Sequence, residues 1–215
     1  MKRRSLGRMA AAVLAAGLMA GAWPIAQAAD EAPDAMIKRL SDDVLSTIKT
    51  DKQVRSGDFN HIIAVVDAKI MPNVNFQRMT SSAVGPAWRE ATPEQRKRLQ
   101  EEFKLLLVRT YAGALSQVSD ETISMKPLRG EPTDNDVVVR TEVRGRGDPI
   151  QLDYRLERTP GQGTGWKIYN LNVLGVWLVE TYRSQFTQEV NAKGIDGLIA
   201  SIAERNKANA SGKKS

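Results

Sequence analysis

The sequence predicts an α+β domain in which helices come first, an antiparallel sheet follows and further helices close the chain. Three observations lead to this fold class. Apolar residues recur at helical spacing in the first half, four segments of period two follow, and two helical patterns end the chain. The links between the period-two segments are short and rich in turn residues, which favours a four-stranded antiparallel meander.

The N-terminal half is predicted to form four helices. Apolar spacing favours helices over about residues 33–49, 59–70 and 74–85. The fourth helix has a capping-box start at Thr92, with Pro93 in the first helical position. We expect it to continue to residue 115 and to be roughly 35 Å long.

The strands are expected to have one dry face and one wet face. In the third strand, alternate residues from Ile150 to Leu156 are apolar, whereas those from Gln151 to Glu157 are polar or charged. This alternation places Asp153 on the wet face. The four predicted strands cover residues 122–128, 136–144, 150–158 and 166–174.

The fourth strand and the C-terminal helices complete the chain. Trp166 favours one face of the fourth strand and Leu171 favours the other, so its pattern does not resolve which face is dry. Two helices then follow, over residues 177–191 and 195–207, with Gly194 between them.

The N-terminus has the pattern of a secretory signal peptide. Residues 1–28 contain a basic start, an apolar segment of about 15 residues and small residues before Ala28. The apolar segment is shorter than the roughly 20 residues that a spanning helix needs. We therefore expect cleavage after Ala28 and an exported protein.

The net charge of +6 is distributed unevenly along the chain. The signal contributes +4, residues 29–202 contribute −1 and residues 203–215 contribute +3. A near-neutral body removes the main support for nucleic-acid binding. We expect one folded domain over residues 29–203 and a disordered basic tail over residues 204–215.

The composition and motifs point away from an enzyme. The chain has no Cys and one His, which excludes Cys catalysis and Cys-bound zinc and makes a His-based metal site improbable. A small cone-shaped enzyme would need a carboxylate on the dry face, and the pattern places Asp153 on the other one. A filled core and an apolar ligand cavity demand the same residues, so a chaperone or adaptor with a filled core stays open beside a ligand carrier.

Several short fragments, taken in their order along the chain, make the sequence resemble the MlaC family. These proteins are also called toluene-tolerance or Ttg2-type periplasmic phospholipid-binding proteins. The fragments are residues 72–76, 85–89, 91–96, 111–115, 149–154, 166–170 and 194–198. Each fragment is short, and their order and spacing carry the resemblance. Two positions depart from the family, which commonly has Asp in place of Asn170 and Ser in place of Trp177.

The resemblance implies a soluble periplasmic carrier, with no catalysis, metal or cofactor, that holds phospholipid acyl chains between a curved sheet and helices. Such carriers exchange lipid with an inner-membrane ABC-type complex and an outer-membrane lipoprotein–porin complex, and so maintain outer-membrane lipid asymmetry. A hopanoid precursor is an alternative cargo. A shuttling role favours a monomer.

The acyl chains are expected to lie between the long helix and the dry face of the sheet. For each lining candidate, plain core packing is the alternative. The lipid-binding candidates are Phe103, Leu106, Leu107, Tyr111, Val137, Val139, Leu152, Tyr154 and Leu156. The candidates for the cavity mouth are Trp177, Tyr182 and Arg183.

Overall fold

The computed structural model describes residues 31–115, 118–129 and 134–210. The predicted signal peptide lies outside these residues. The helices are α1 (Pro33–Thr50), α2 (Lys52–Arg55), α3 (Phe59–Val65), α4 (Phe76–Val84), α5 (Pro93–Leu115) and α6 (Leu178–Ala210). The strands are β1 (Thr122–Met125), β2 (Asp136–Arg144), β3 (Ile150–Arg158), β4 (Trp166–Val173) and β5 (Val176–Trp177).

Helix α5 begins at the predicted capping box. The backbone N–H of Gln95 donates to the Thr92 hydroxyl oxygen at 3.2 Å, and the Thr92 N–H donates to the Gln95 side-chain oxygen at 3.0 Å. Two N–H groups at the helix start are thereby satisfied reciprocally. The predicted start and end of this helix are both confirmed.

The segment between α1 and α4 is less regular than the sequence predicted. Asp51 caps the unpredicted α2, because its carboxylate accepts from the N–H groups of Gln53 and Val54. The predicted helix over residues 59–70 is α-helical only in α3 and then widens into a π-helical turn at Val66–Ile70. After this turn, Val74 forms an isolated β-bridge with Ile168 and so brings the chain to the edge of β4.

The five strands form one antiparallel sheet in the order of the chain, β1-β2-β3-β4-β5. The prediction of four strands is wrong by one, because Val176 and Trp177 pair with the end of β4 as β5 instead of starting a helix. A tight turn at Leu174 and Gly175, both with positive φ, reverses the chain before β5. The bounds of β2 and β3 are as predicted, and β1 ends earlier, at Met125.

A β-bulge explains the unresolved pattern of β4. Tyr154 pairs with Leu171, but Leu156 pairs with Ile168, so Tyr169 is an extra residue in β4. One extra residue reverses the alternation of faces along a strand. Ile168 and Leu171 therefore face the same side of the sheet although they are three positions apart.

The side of the sheet predicted to be wet is partly covered. Asp153 is only 3% exposed, so its placement on a wet face is wrong. Its strand neighbours Arg140 and Asn172 flank it on this face. The Arg155 guanidinium, on the same face, lies 4.0 Å from the centre of the Trp177 ring. Long side chains of the face thus shield its shorter carboxylate from water.

Two apolar clusters share the other side of the sheet. The sheet cluster packs Met36, Ile37 and Leu40 of α1 against apolar residues of β2, β3 and β4. The helical cluster joins α4, α5 and α6, with Phe103 at its centre. Val74 and Leu171 pack against both clusters and mark the seam between them.

Helix α6 consists of two helical halves joined at Gly194. This glycine has φ 69° and ψ −173°, a conformation essentially restricted to glycine. The second half folds back along the first, since the Arg205 guanidinium donates to the Gln185 side-chain oxygen at 2.9 Å. The helix reaches Ala210, so the predicted tail over residues 204–215 is helical in its first part, and residues 211–215 lie outside the described ones.

Replacing Gly194 with Ala should destabilise the protein by about 1–3 kcal/mol, because alanine cannot adopt this backbone conformation without strain. Gly113→Ala is the matched control: Gly113 lies inside α5, and a Cβ there would meet open space. That control should gain about 0.5–1 kcal/mol. Urea unfolding measures both free energies, and equal changes in the two variants would contradict the role of Gly194.

Candidate functional site

A cavity of 420 Å³ opens between α5, α6 and β5. Its wall combines aliphatic and aromatic side chains with neutral polar groups and one cation. The lining residues are Leu106, Thr110, Tyr111, Val176, Leu178, Thr181, Tyr182, Gln185, Arg205 and Asn209. No carboxylate is among these described lining residues.

Helical spacing explains how three helical segments supply this wall. Residues three or four positions apart lie on one face of a helix. Residues 106 and 110 of α5 have this spacing, as do residues 178, 181, 182 and 185 in the first half of α6. Residues 205 and 209 have it in the second half, which the turn at Gly194 returns to the cavity.

Aromatic rings pack against the lining residue Tyr182. The Phe103 ring lies 4.9 Å from the Tyr182 ring and 5.3 Å from the Phe186 ring, both in edge-to-face geometry. Phe76 adds a tilted contact at 5.7 Å. These separations suit favourable aromatic pairs, so Tyr182 joins the cavity wall to the packed helical cluster.

Burial changes the pKa values of the two tyrosines in the cavity wall. Desolvation raises the pKa of the Tyr111 hydroxyl and of the Tyr182 hydroxyl, which is also hydrogen-bonded to Thr110. Both phenols therefore stay protonated near neutral pH and keep a donor. Arg205 supplies the positive charge of the wall. The site can accommodate an apolar body and, at its rim, an anionic or hydrogen-bonding group.

Asn170 fixes the start of the helix that forms most of this wall. Its side chain is 1% exposed, and its oxygen accepts from the N–H groups of Leu171 at 2.9 Å and Val179 at 3.1 Å. Its amide donates to the Glu180 carboxylate at 2.7 Å. Arg155 also donates to Glu180. These contacts join the bulged part of β4 to the first turn of α6.

The structure divides the predicted lipid-binding residues between two places. Leu106 and Tyr111 line the cavity, whereas Phe103 contacts the lining residue Tyr182 and Leu107 packs against the helical cluster. The strand candidates belong instead to the sheet cluster under α1 and do not line this cavity. They are Val137, Val139, Leu152, Tyr154 and Leu156. Leu107 and Leu152 keep part of their surface exposed, whereas Phe103 and Leu156 are fully buried.

Of the three predicted mouth residues, Tyr182 lines the cavity and the other two do not. Trp177 stacks on Arg155, and Arg183 lies beside Gly85. Sequence reasoning missed Val176, Leu178 and Arg205. The helical spacing of the last two predicted helices indicates which residues share a face with Leu178 or Arg205. It does not indicate that the two helices pack antiparallel and bring these faces together.

Asp153 lies outside the cavity on the far face of the sheet. One of its oxygens accepts from the Gln151 amide at 2.5 Å, and the other is buried without a hydrogen-bond partner. A cation site is not built around it, because the described part of the chain holds no group of three side chains suited to a metal ion.

Known proteins match this chain over most of its length. The MlaC protein family model matches residues 38–204. The chain is 25% identical over 205 residues to the toluene tolerance protein ttg2D of Pseudomonas putida, covering 91% of this chain and 94% of that protein. It is 24% identical to the intermembrane phospholipid transport system binding protein MlaC of Haemophilus influenzae, over 82% of this chain and 83% of that protein.

A solved structure extends the match to three dimensions. The phospholipid-binding protein from Ralstonia solanacearum, solved in complex with a phospholipid, is 45% identical with a TM-score of 0.79. The match covers 82% of this chain and 98% of that one. Separately, no helix within the described ranges combines the length and apolarity required to span a bilayer.

The contacts of Glu180 predict a pH dependence of stability. Burial would raise its pKa, but the hydrogen bonds from Asn170 and Arg155 outweigh burial and hold the pKa below its usual range. A lowered pKa stabilises the fold above the unfolded value of about 4.3, and that contribution is lost as the pH falls through the folded value. Glu180→Gln should therefore lose stability near neutral pH and lose less on acidification than the parent protein.

Thermal unfolding from about pH 7 to about pH 3 measures this difference, across the unfolded pKa of a glutamate. Glu204→Gln is the matched control, since Glu204 is an exposed glutamate of the same helix whose ion pair with Lys207 is 4.0 Å long. If both variants follow the same pH profile, Glu180 does not stabilise the start of α6 through its charge.

Proposed function

The chain belongs to the MlaC family, and from this membership we propose that it is a periplasmic carrier that binds phospholipid by its acyl chains and transports it between membranes. The observation that carries the proposal is the cavity between α5 and α6. Support also comes from the 45% identical protein that was solved with a phospholipid bound.

Acyl-chain hydration is the physical reason for a carrier. A diacyl phospholipid has about 30 methylenes, and exposing them to water at about 0.8 kcal/mol each costs on the order of 24 kcal/mol. Unassisted transfer through water is therefore extremely slow. A carrier must offer surroundings about as apolar as a bilayer, and a much better cavity would prevent release.

The acyl chains would enter the cavity and continue along the seam between the two clusters. The cavity volume of 420 Å³ lies within the range of about 300–1,000 Å³ that is usual for small-ligand sites. Val74 and Leu171 lie in the seam, and the half-buried Leu107 and Leu152 belong to the clusters on either side of it. Separation of the clusters along this line would bring the predicted strand candidates into contact with cargo.

The headgroup would stay at the rim of the cavity. Burial of an unpaired phosphate is unfavourable, so the phosphate should remain near water and near a cation. Arg205 is partly exposed and is held in place by Gln185. It takes the place that the sequence assigned to Arg183 and can bind phosphate oxygens through its planar guanidinium.

The remaining parts of the function are proposed on the same basis. The protein carries phospholipid as cargo without a cofactor, and it binds and releases lipid without catalysis. Its exchange partners would be an inner-membrane ABC-type complex and an outer-membrane lipoprotein–porin complex, with export directed by residues 1–28. Related cargo of another class, such as a hopanoid precursor, is an outcome of the test below.

Native mass spectrometry of gently purified protein, followed by solvent extraction and lipid identification, tests this function. We expect a bound phospholipid that dissociates on denaturation. A hopanoid in its place would change the cargo class and keep the carrier role. Protein that is uniformly free of lipid, and stays so after incubation with phospholipid vesicles, would refute the proposal.

Filling the cavity should reduce lipid loading without unfolding the protein. Thr181 is an exposed lining residue, so Thr181→Trp can add volume at the cavity with little cost to the core. Thr187→Trp is the matched control, because Thr187 is exposed on the same helix and does not line the cavity. We expect the lipid-to-protein ratio to fall at least severalfold in the first variant only. Equal loading of both would place the cargo elsewhere.

A further inference from the structure

Three large aliphatic side chains are exposed at one end of the sheet. Ile150 is 42% exposed, Leu174 is 65% exposed and Val176 is 52% exposed, and they are the exposed large hydrophobic residues of the described chain. The Leu174 N–H donates to the carbonyl of Gln151, and Val176 pairs with Val173. These bonds bring the three residues, called here the aliphatic patch, to neighbouring positions on adjacent strands.

The backbone at Leu174 is strained in a way that keeps its side chain exposed. Its φ is 52°, and it is the residue other than glycine with positive φ in the described chain. Leucine is disfavoured in this conformation, whereas Gly or Asn adopts it readily. Exposure to water does not offset the cost of this backbone conformation for leucine. The side chain of Leu174 therefore points to a role outside the fold.

The aliphatic patch lies at the mouth of the cavity. Val176 belongs to both the patch and the cavity wall, and α6 starts directly after it. Because the second half of α6 folds back, Arg205 and Asn209 return to this same end. Apolar side chains, the cavity opening and the end of α6 therefore lie together.

We propose that this end of the molecule docks on a bilayer that contains anionic lipid. Leu174 and its neighbours in the patch enter the interfacial region, and the cavity mouth faces the membrane. The proposal rests on the proposed carrier function and adds the surface through which cargo would be exchanged. A lipid could then pass between bilayer and cavity along an apolar surface.

The charges of the last turns of α6 and of the sequence that follows them favour an anionic membrane. Arg205 and Lys207 lie in the last turns of α6, and the sequence adds two more lysines in residues 211–215, against Glu204. Each basic residue near an anionic surface contributes about 1 kcal/mol of attraction. In the loop between β2 and β3, Arg146 pairs with Asp120 at 3.2 Å, and Asp148 offsets one of these positive charges.

The composition of the patch favours a bilayer over a protein partner. Stable protein interfaces bury about 1,200–2,000 Å² in total and are enriched in aromatic residues. Three aliphatic side chains at one end of the sheet provide neither that area nor an aromatic anchor. Hydrocarbon, in contrast, accepts isolated aliphatic side chains without requiring a complementary shape.

The test compares vesicle flotation of the parent protein and the double variant Leu174→Asn/Ile150→Thr. Asn tolerates positive φ and Thr is a good strand residue, so both changes should preserve the fold while removing apolar surface. Val138→Thr is the matched control, since Val138 is a half-buried position of β2 that is not part of the patch. Vesicles contain phosphatidylcholine alone or mixed with phosphatidylglycerol.

We expect the parent and the control to bind the mixed vesicles. The affinity of the double variant for these vesicles should be lower by a factor of about ten or more. Raising the ionic strength from about 0.1 M to about 1 M should weaken binding, because it shortens the screening length from about 10 Å to about 3 Å. Absence of parent binding to either vesicle would overturn the proposal and leave the patch to a protein partner. Equal binding of parent and double variant would overturn it as well.

Bound phospholipid measured on the same preparations separates this proposal from the carrier function. Protein that carries phospholipid but does not float with vesicles contradicts membrane docking only. Protein that floats with vesicles but never holds phospholipid contradicts the carrier function and, with it, the exchange role of the docking surface.

Discussion

The hydrogen bonds of Asn170 are the constraint on which the candidate site depends. This buried side chain accepts from the backbone of β4 and of α6 and donates to Glu180. It follows the bulged residue Tyr169, so the point where the sheet changes its alternation is also the point that holds the helix. An aspartate at this position would face the Glu180 carboxylate without a proton to donate. The amide therefore matches this particular helix start.

The division between the helical cluster and the sheet cluster gives the fold a fixed part, within the helical cluster, and an adaptable part at the seam. Phe103 packs edge to face with Tyr182 and with Phe186, and the Tyr182 and Phe186 rings meet in a tilted contact. These close contacts make the helical cluster the fixed part. Among the described residues, Val74 and Leu171 pack against both clusters and form the seam. Separating the clusters along this line would leave the aromatic contacts of the helical cluster intact. Adaptation to cargo of different length should accordingly be concentrated at the seam.

The sequence predicted local structure well and spatial relations less well. The start of α5 was predicted because its capping box is a local interaction between Thr92 and Gln95, and β2 and β3 follow a period that short segments reveal. In the sequence, the bulge at Tyr169 appeared only because apolar residues before and after it favoured opposite faces of the strand. Such a change in the alternation shows that the strand is irregular, but it does not show how the partner strand pairs with it. Arg205 was missed for a related reason: helical period defines a face but not the element that the face meets.

The reversal of α6 explains why the wall residues come from distant positions and still lie at one end. Gly194 permits a backbone conformation closed to other residues, and the returning helix brings Arg205 beside Gln185. A straight helix would have carried Arg205 and Asn209 away from the cavity and removed their part of its wall. The carrier needs a wall on both sides, because the acyl chains of its cargo must lose contact with water on every side to be held at all. A single glycine thus completes the enclosure that the anchor at Asn170 begins.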